Sequence, residues 1–249
     1  MSALVRAEFL KLRTTQVWFW LLLVTLALGA VIVIASFAGD NVHDGVDIAE
    51  VFSSSSTAGI AAFVLGTLGV TTEFRYQTIT PTVLTTPSRW TLVSAKMITY
   101  ALVGLAYAVL CVALQLAVAL PWANADGIDY SLSGDRIPHA VGGAVLVVAL
   151  YAIIGLGFGA LMRNQAVAIS VGLIFLTIVQ TLVSAIPGVR HAFPFMPGGA
   201  VTAILQVSGD RTQDGVTLLS PGVGIVVLLA WAFVPAILGA TITLTRDIT

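Results

Sequence analysis

The residue types that most often carry chemistry are present in this sequence, but without the spacing that chemistry needs. A phosphate-binding loop of the form Gly-x-x-x-x-Gly-Lys-[Ser/Thr] requires a lysine after the loop. The sequence has two lysines, Lys11 and Lys96, and neither follows such a loop. His43, His139 and His191 have no second histidine or cysteine at the spacing of a metal site. We therefore predict no ATPase site, no metal site and no cofactor in this chain.

A dinucleotide-binding turn is another possibility, because Gly155, Gly157 and Gly159 lie close together. Their spacing differs from Gly-x-Gly-x-x-Gly, and they lie within a long apolar run with no strand before them. Small residues in such runs are typical of membrane helices that approach each other closely. We interpret the three glycines as packing positions.

The composition indicates that lipid surrounds most of the chain. Of the 249 residues, 58% are hydrophobic and 9% are charged, whereas soluble domains carry about 25% charged residues. So few polar side chains cannot cover a water-soluble surface. The basic residues are few and scattered, so nothing indicates a nucleic-acid partner.

Six apolar runs are long enough to cross a bilayer, which takes about 20 residues. The second run is short, but Ser and Thr are tolerated in such helices and extend it back to residue 55. The predicted spans are residues 17–38, 55–72, 97–120, 140–162, 166–186 and 223–244. We predict an all-α integral membrane bundle of six helices, with residues 1–249 as a single transmembrane domain. Its external loop, residues 187–222, has an apolar patch that suggests a short helix.

The charged residues are sorted between the two sides of the membrane. The connections on one side carry eight basic residues, against three on the other, and short basic loops stay in the cytoplasm. Both termini are therefore predicted to be cytoplasmic. The ratio of nine Arg to two Lys suggests a bacterial gene, hence a multi-pass protein of the bacterial inner membrane. The eight basic residues are Arg6, Lys11, Arg13, Arg75, Arg89, Lys96, Arg163 and Arg246.

The predicted spans have no charged residue in their central portions, and Glu73 and Lys96 lie at their ends. Transporters driven by protons or ions usually keep ionisable groups inside the membrane, despite a cost of about 2.5–3.5 kcal/mol per charge. The most polar deep side chains are Gln115 and Gln180, which we predict to form hydrogen bonds between helices. Energy for transport would therefore have to come from outside this chain.

The N-terminal segment, residues 1–16, is predicted to form a connecting helix that lies in the membrane interface. At 100° per residue, Val5, Phe9 and Leu12 fall on one apolar stripe, with basic residues well away from it.

A second segment on the predicted cytoplasmic side, residues 73–96, is also expected to form a contact surface. Thr80 can cap a short helix that has Pro81 at its first position. A short coupling helix at the membrane surface is suited to docking a soluble partner and following its movements.

These two segments resemble motifs of a known family. Residues 8–15, Glu-Phe-Leu-Lys-Leu-Arg-Thr-Thr, resemble the N-terminal connecting helix of ABC-2-type transporter permeases. Residues 69–80, followed by residues 86–89 and Lys96, are similar to that family's segment between its second and third spans. The six-span layout agrees, so the resemblance extends over the whole chain.

The resemblance implies one half of a bacterial exporter for a drug, antibiotic, peptide or lipid-like substrate. Two permeases, identical or related, would pair, and each would bind a separate ATP-binding cassette subunit that holds ATP and Mg²⁺. Hydrolysis there would move the connecting and coupling helices, and with them the spans. No shared motif identifies the substrate residues. The implied contacts to the ATP-binding subunit are Glu8, Lys11, Arg13, Glu73, Arg75, Thr78, Thr80, Pro81 and Arg89.

Two other functions are compatible with the sequence. A self-sufficient secondary transporter or channel would move solute in vesicles that contain this chain alone. A non-transport membrane protein, such as a membrane enzyme or an anchor for a signalling complex, would keep its activity without an ATPase partner. The permease hypothesis instead expects Glu73→Arg to uncouple hydrolysis from transport without preventing membrane insertion.

Overall fold

The described part of the chain folds into a bundle of helices. The computed structural model describes residues 2–38, 56–78, 89–125, 136–205, 212–213 and 216–245. The α-helices in these ranges are α1 (Ser2–Thr14), α2 (Val17–Ala38), α3 (Ser56–Arg75), α4 (Arg89–Ala125), α5 (Arg136–Met162), α6 (Gln165–Leu173), α7 (Gln180–Ala185), α8 (Pro197–Leu205) and α9 (Pro221–Thr245). The remaining elements are a π-helix between α6 and α7 (Ile174–Val179), a 3₁₀-helix before α8 (Arg190–Phe195), and an antiparallel hairpin of β1 (Thr212–Gln213) and β2 (Val216–Thr217).

Six helical segments in the described part of the chain are long and apolar enough to cross a membrane. They are α2, α3, α4, α5, the continuous segment from α6 through α7, and α9. The predicted all-α membrane bundle of six spans is therefore confirmed. Pro121 lies inside α4 and Pro235 inside α9, and neither residue ends its helix.

The connection between the second and third spans is shorter than the predicted segment 73–96. α3 continues to Arg75, and α4 begins at Arg89 and is 37 residues long. Counting apolar residues underestimates the lengths of both helices, because each helix continues through polar residues beyond its apolar run. Lys96 therefore lies in the second turn of α4. The predicted coupling helix, with Thr80 and Pro81, lies outside the described residues.

The segment after the fifth span folds back onto the bundle. α8 packs against α5 and α9, and its Ala200 and Ala203 are completely buried. Gln180, the first residue of α7, is also buried, and its side-chain oxygen accepts a hydrogen bond from the backbone N–H of Gly198 in α8. The predicted interhelical role of Gln180 is therefore confirmed. Gln115 is likewise buried, in α4.

The centre of the bundle is α5, which packs against α3, α4 and α9. A Cβ atom at Gly155 would overlap the backbone oxygen of Phe63 in α3. A Cβ atom at Gly157 would lie 2.7 Å from the backbone nitrogen of Ala236 in α9, and Gly159 faces α3 in the same way. The three glycines are thus packing positions, which let α5 touch its neighbours backbone to backbone.

Gly155→Ala is expected to destabilise the bundle, because the added methyl group meets backbone atoms of α3 that no rotamer change can move. Overpacking of this kind costs about 1–3 kcal/mol. The matched control is Gly142→Ala in the same helix, where nothing lies within 4 Å of the added methyl group. Thermal unfolding in detergent should give a lower midpoint for Gly155→Ala and an unchanged or higher midpoint for Gly142→Ala. Equal midpoints would contradict the close packing of α3 and α5.

Candidate functional site

The helix α1 lies against the bundle with a charged residue on its buried face. Glu8 and Leu12, one helical turn apart, are buried, whereas Phe9 is 44% exposed. The buried face therefore differs from the apolar stripe of Val5, Phe9 and Leu12. The reason is electrostatic, because Glu8 pairs with the buried amine of Lys96 in α4. This pairing turns Phe9 outward, where lipid can cover it.

Four charged side chains from three helices meet beneath α1. The amine of Lys96 in α4 lies 2.9 Å from Glu8 Oε2, 2.8 Å from Glu73 Oε1 and 3.2 Å from the carbonyl oxygen of Gly69. The amine of Lys11 lies 2.8 Å from Glu8 Oε1 and 2.7 Å from Glu73 Oε1. We call Glu8, Lys11, Glu73 and Lys96 the charge cluster. It joins α1 to both α3 and α4.

The charge cluster is closed on its inner side and reaches solvent at Lys11. Glu8 is 3% exposed, and Glu73 and Lys96 are each 4% exposed, whereas the Lys11 side chain is 48% exposed. The formal charges of two carboxylates and two amines cancel, and Lys96 has an acceptor for each of its three N–H donors. Ions are tolerated in a buried site when each one is paired and fully hydrogen-bonded. Removing one partner would leave a buried charge uncompensated, at a cost of about 3–5 kcal/mol.

The cap at the end of α3 holds the backbone of Glu73 in place. The Thr78 N–H donates to the Glu73 carbonyl oxygen over 3.0 Å, and the Gln77 N–H donates to the Phe74 carbonyl oxygen over 3.3 Å. This is the bond pattern of a Schellman cap. Gln77 has a φ of 53°, the left-handed conformation that the cap requires and that glycine adopts more readily. Glu73 is therefore fixed at its backbone by the cap and at its side chain by two lysines.

An aromatic ring lies next to the charge cluster. Tyr100 lies one turn after Lys96 on α4 and is buried. A Cβ atom at Gly69 would overlap the Tyr100 ring, so the ring lies directly on α3 at the residue whose carbonyl oxygen accepts from Lys96. A larger residue at position 69 would displace this ring.

The amine of Lys11 is held in its protonated form. Burial lowers the pKa of Lys11, but the hydrogen bonds that its amine donates to Glu73 and Glu8, together with their negative charges, more than offset this effect. The pKa of Lys11 therefore lies above its usual value of 10.5.

The other predicted contact residues lie outside the charge cluster. Arg13 on α1 is exposed, as are Arg75 and Thr78 at the end of α3. Arg89 is the first residue of α4. Outside the described residues lie Thr80 and Pro81.

Sequence reasoning placed Lys96 in a cytoplasmic connection and did not name it as a contact residue, although it supplies the most buried amine of the cluster. The available signal was that Lys96 is one of two lysines in the chain and that a buried lysine needs an acidic partner. Glu8 and Glu73 are buried, which leaves little of their side chains for the contact with an ATP-binding subunit that the resemblance implied. Glu73→Arg would place a guanidinium beside two amines, so it tests the integrity of the cluster as well as coupling.

A family model described as ABC-2 family transporter protein matches residues 4–180, more than two thirds of the chain. The chain belongs to the ABC-2 transporter family. An ABC-2 permease is a multi-pass membrane protein, and members of the family generally work with an ATP-binding subunit. No curated protein matches this chain.

The matched range contains every residue of the charge cluster. It also contains the first four spans of this ABC-2 permease and most of the fifth. The short helix α8 and the sixth span, α9, lie beyond it. The resemblance drawn from residues 8–15 and 69–80 is confirmed at the level of the family.

Lys96→Met is expected to destabilise the permease by about 3–5 kcal/mol, because it leaves two buried carboxylates with a single amine. Lys11→Met should cost less, because the Lys11 side chain is about half exposed. Glu8→Leu combined with Lys96→Met should recover part of the loss, since the pair removes one charge of each sign. Thermal unfolding in detergent ranks the variants. A wild-type midpoint for Lys96→Met would contradict the buried ion pairing.

The stabilisation by Lys11 should not vary with pH in the neutral range. Because the pKa of Lys11 is raised on folding, its contribution is complete below pH 10.5 and is lost as the pH rises through the folded-state value. The difference in unfolding midpoint between wild type and Lys11→Met should therefore be constant from about pH 7 to about pH 9. A difference that shrinks within this range would be evidence against the pairing with Glu8 and Glu73.

Proposed function

We propose that this ABC-2 permease is the transmembrane half of a bacterial exporter, driven by a separate ATP-binding cassette subunit that docks beside α1. The observation that carries the proposal is the charge cluster. It joins α1, the end of α3 and the start of α4 into one unit, so that a force on α1 reaches two spans. ATP and Mg²⁺ would be held by the partner subunit.

A stiff connection is what a mechanically driven permease requires. Besides the charge cluster, α1 is attached through Leu12, which packs into the apolar core, and through the turn at Thr15 and Gln16 that leads into α2. α3 in turn packs along α5, where Gly155 brings the two backbones together. A displacement of α1 would thus pass through α3 into the centre of the bundle.

The docking surface would consist of the exposed residues around the charge cluster. The exposed Arg13 and Arg75 give it a positive character, which an acidic surface on the partner would complement. Thr78 lies at its edge, next to the segment that contains Thr80 and Pro81, and Arg89 begins α4 on the other side of that segment.

This end of the bundle is proposed to face the cytoplasm, with both termini inside. Basic residues of short connections stay in the cytoplasm. Arg6 and Arg13 lie in α1, Arg75 is the last residue of α3, and Arg163 directly follows α5. The second permease of the transporter would be another copy of this chain or a paralogue. The cargo is proposed to be a drug, an antibiotic, a peptide or a lipid-like molecule.

A tagged permease purified from its own membranes is expected to retain an ATP-binding cassette subunit, which mass spectrometry would identify. Arg13→Glu should weaken this association about tenfold, which corresponds to about 1.4 kcal/mol, because charge at an interface rim controls association. The unfolding midpoint of the isolated permease should not fall, since Arg13 is exposed. Arg6→Glu is the matched control, because Arg6 is an exposed arginine of the same helix outside the proposed contacts.

Purification without any ATP-binding subunit would contradict the proposal. Uphill accumulation of solute by vesicles that contain only this chain would favour the secondary transporter instead. Equal weakening by Arg6→Glu and Arg13→Glu would show that net charge, rather than the proposed docking surface, attracts the partner.

A further inference from the structure

A second charged feature lies at the same end of the bundle, outside the charge cluster. The last turn of α3 and the turn between α5 and α6 enclose a groove of about 550 Å³. Its lining includes Phe74, Arg75, Arg163, Gln165, Ala166 and Ile169. A groove of this volume is in the range of sites that hold small ligands.

Two arginines give the groove a positive lining. Arg75 Nη1 donates a hydrogen bond to the side-chain oxygen of Gln165 over 3.2 Å. Because Gln165 is neutral, this bond does not cancel the positive charge of the guanidinium. Arg163 directly follows α5. The described residues that line the groove include no Asp and no Glu. An anionic ligand therefore complements the groove, and guanidinium groups bind phosphate with two parallel hydrogen bonds.

The groove lies at the level where three spans end. Arg75 ends the second span, Arg163 follows the fourth, and Gln165 begins the fifth. Lipid headgroups occupy this level on either side of the hydrocarbon core. α6, whose first turn forms one wall of the groove, also exposes Val167 and Val171 along its length. An acidic soluble protein would complement the arginines but not this adjoining apolar surface, whereas a phospholipid complements both.

We propose that the groove binds the phosphate of an anionic phospholipid headgroup. Arg75 and Arg163 would bind the phosphate oxygens, Gln165 would hold Arg75 in position, and the acyl chains would lie along α6. Such a lipid would bridge α3 and the turn between α5 and α6. The proposal does not depend on the ATP-binding subunit, so the purified permease alone is sufficient to test it.

The test is a titration of the permease in a neutral detergent with phosphatidylglycerol, with bound lipid counted by native mass spectrometry. Phosphatidylcholine is the zwitterionic comparison, and glycerol 3-phosphate represents the free headgroup. We expect phosphatidylglycerol to bind at least about tenfold more tightly than either. Arg75→Gln with Arg163→Gln should lower its affinity at least about tenfold, since each basic residue near a lipid headgroup contributes roughly a factor of five.

The controls separate the groove from net charge and from misfolding. Arg6→Gln removes an exposed charge of α1 outside the groove and should bind phosphatidylglycerol like wild type. Arg75→Lys with Arg163→Lys keeps both charges and should retain most of the affinity. Should the double glutamine variant not fold, Arg75→Gln alone carries the test, because its side chain is exposed, with an expected loss of about fivefold.

Undiminished phosphatidylglycerol affinity in the glutamine variants would overturn the proposal, and so would equal affinity for phosphatidylcholine. Binding of glycerol 3-phosphate as tight as that of the lipid would assign the groove to a soluble phosphate. Loss of a co-purified ATP-binding subunit from Arg163→Gln alone, a residue outside the proposed docking surface, with lipid affinity unchanged, would assign the groove to that protein.

Discussion

The requirement that buried charges satisfy one another fixes the arrangement of α1 on the bundle. Lys96 has three acceptors, and two of them, on Glu8 and Glu73, come from different helices. Because moving any one helix alone would leave a buried ion without its partner, α1, α3 and α4 are held in a single register. The closed geometry selects one arrangement among several that apolar packing would tolerate.

The close packing of α5 extends this register into the membrane. α3 is bonded into the charge cluster at one end and touches α5 backbone to backbone further along, at Gly155. Contacts between backbones leave little freedom, because no side chain can change rotamer to absorb a shift. α2 and the fifth span differ from this rigid centre, since they expose large apolar side chains such as Val31 and Ile178. Their outer faces are left for lipid or for the second permease proposed above.

Hydropathy predicted the six spans because burial in lipid is a property of composition, which a sequence displays directly. The packing role of Gly155 followed for the same reason, from small residues in an apolar run. The charge cluster could not be predicted, since Glu8 and Lys96 are 88 residues apart and their pairing exists only once three helices meet. The same pairing explains why the buried face of α1 passes through Glu8 instead of Phe9. It also explains why Lys96 belongs to a helix that begins at Arg89, well before the apolar run.

The two basic residue types have different places at this end of the permease, and their chemistry accounts for the division. Both lysines of the chain are in the charge cluster, where a compact amine can point its three donors at separate acceptors. The arginines at this end lie outside it, with Arg13 and Arg75 exposed, and a planar guanidinium is suited to binding carboxylates or phosphates at a surface. Because the formal charges of the cluster cancel, the positive character of this surface comes mainly from arginine. The buried charges at this end therefore have no net charge and attract no partner. The exposed arginines can attract one, and they can be substituted without destabilising the bundle.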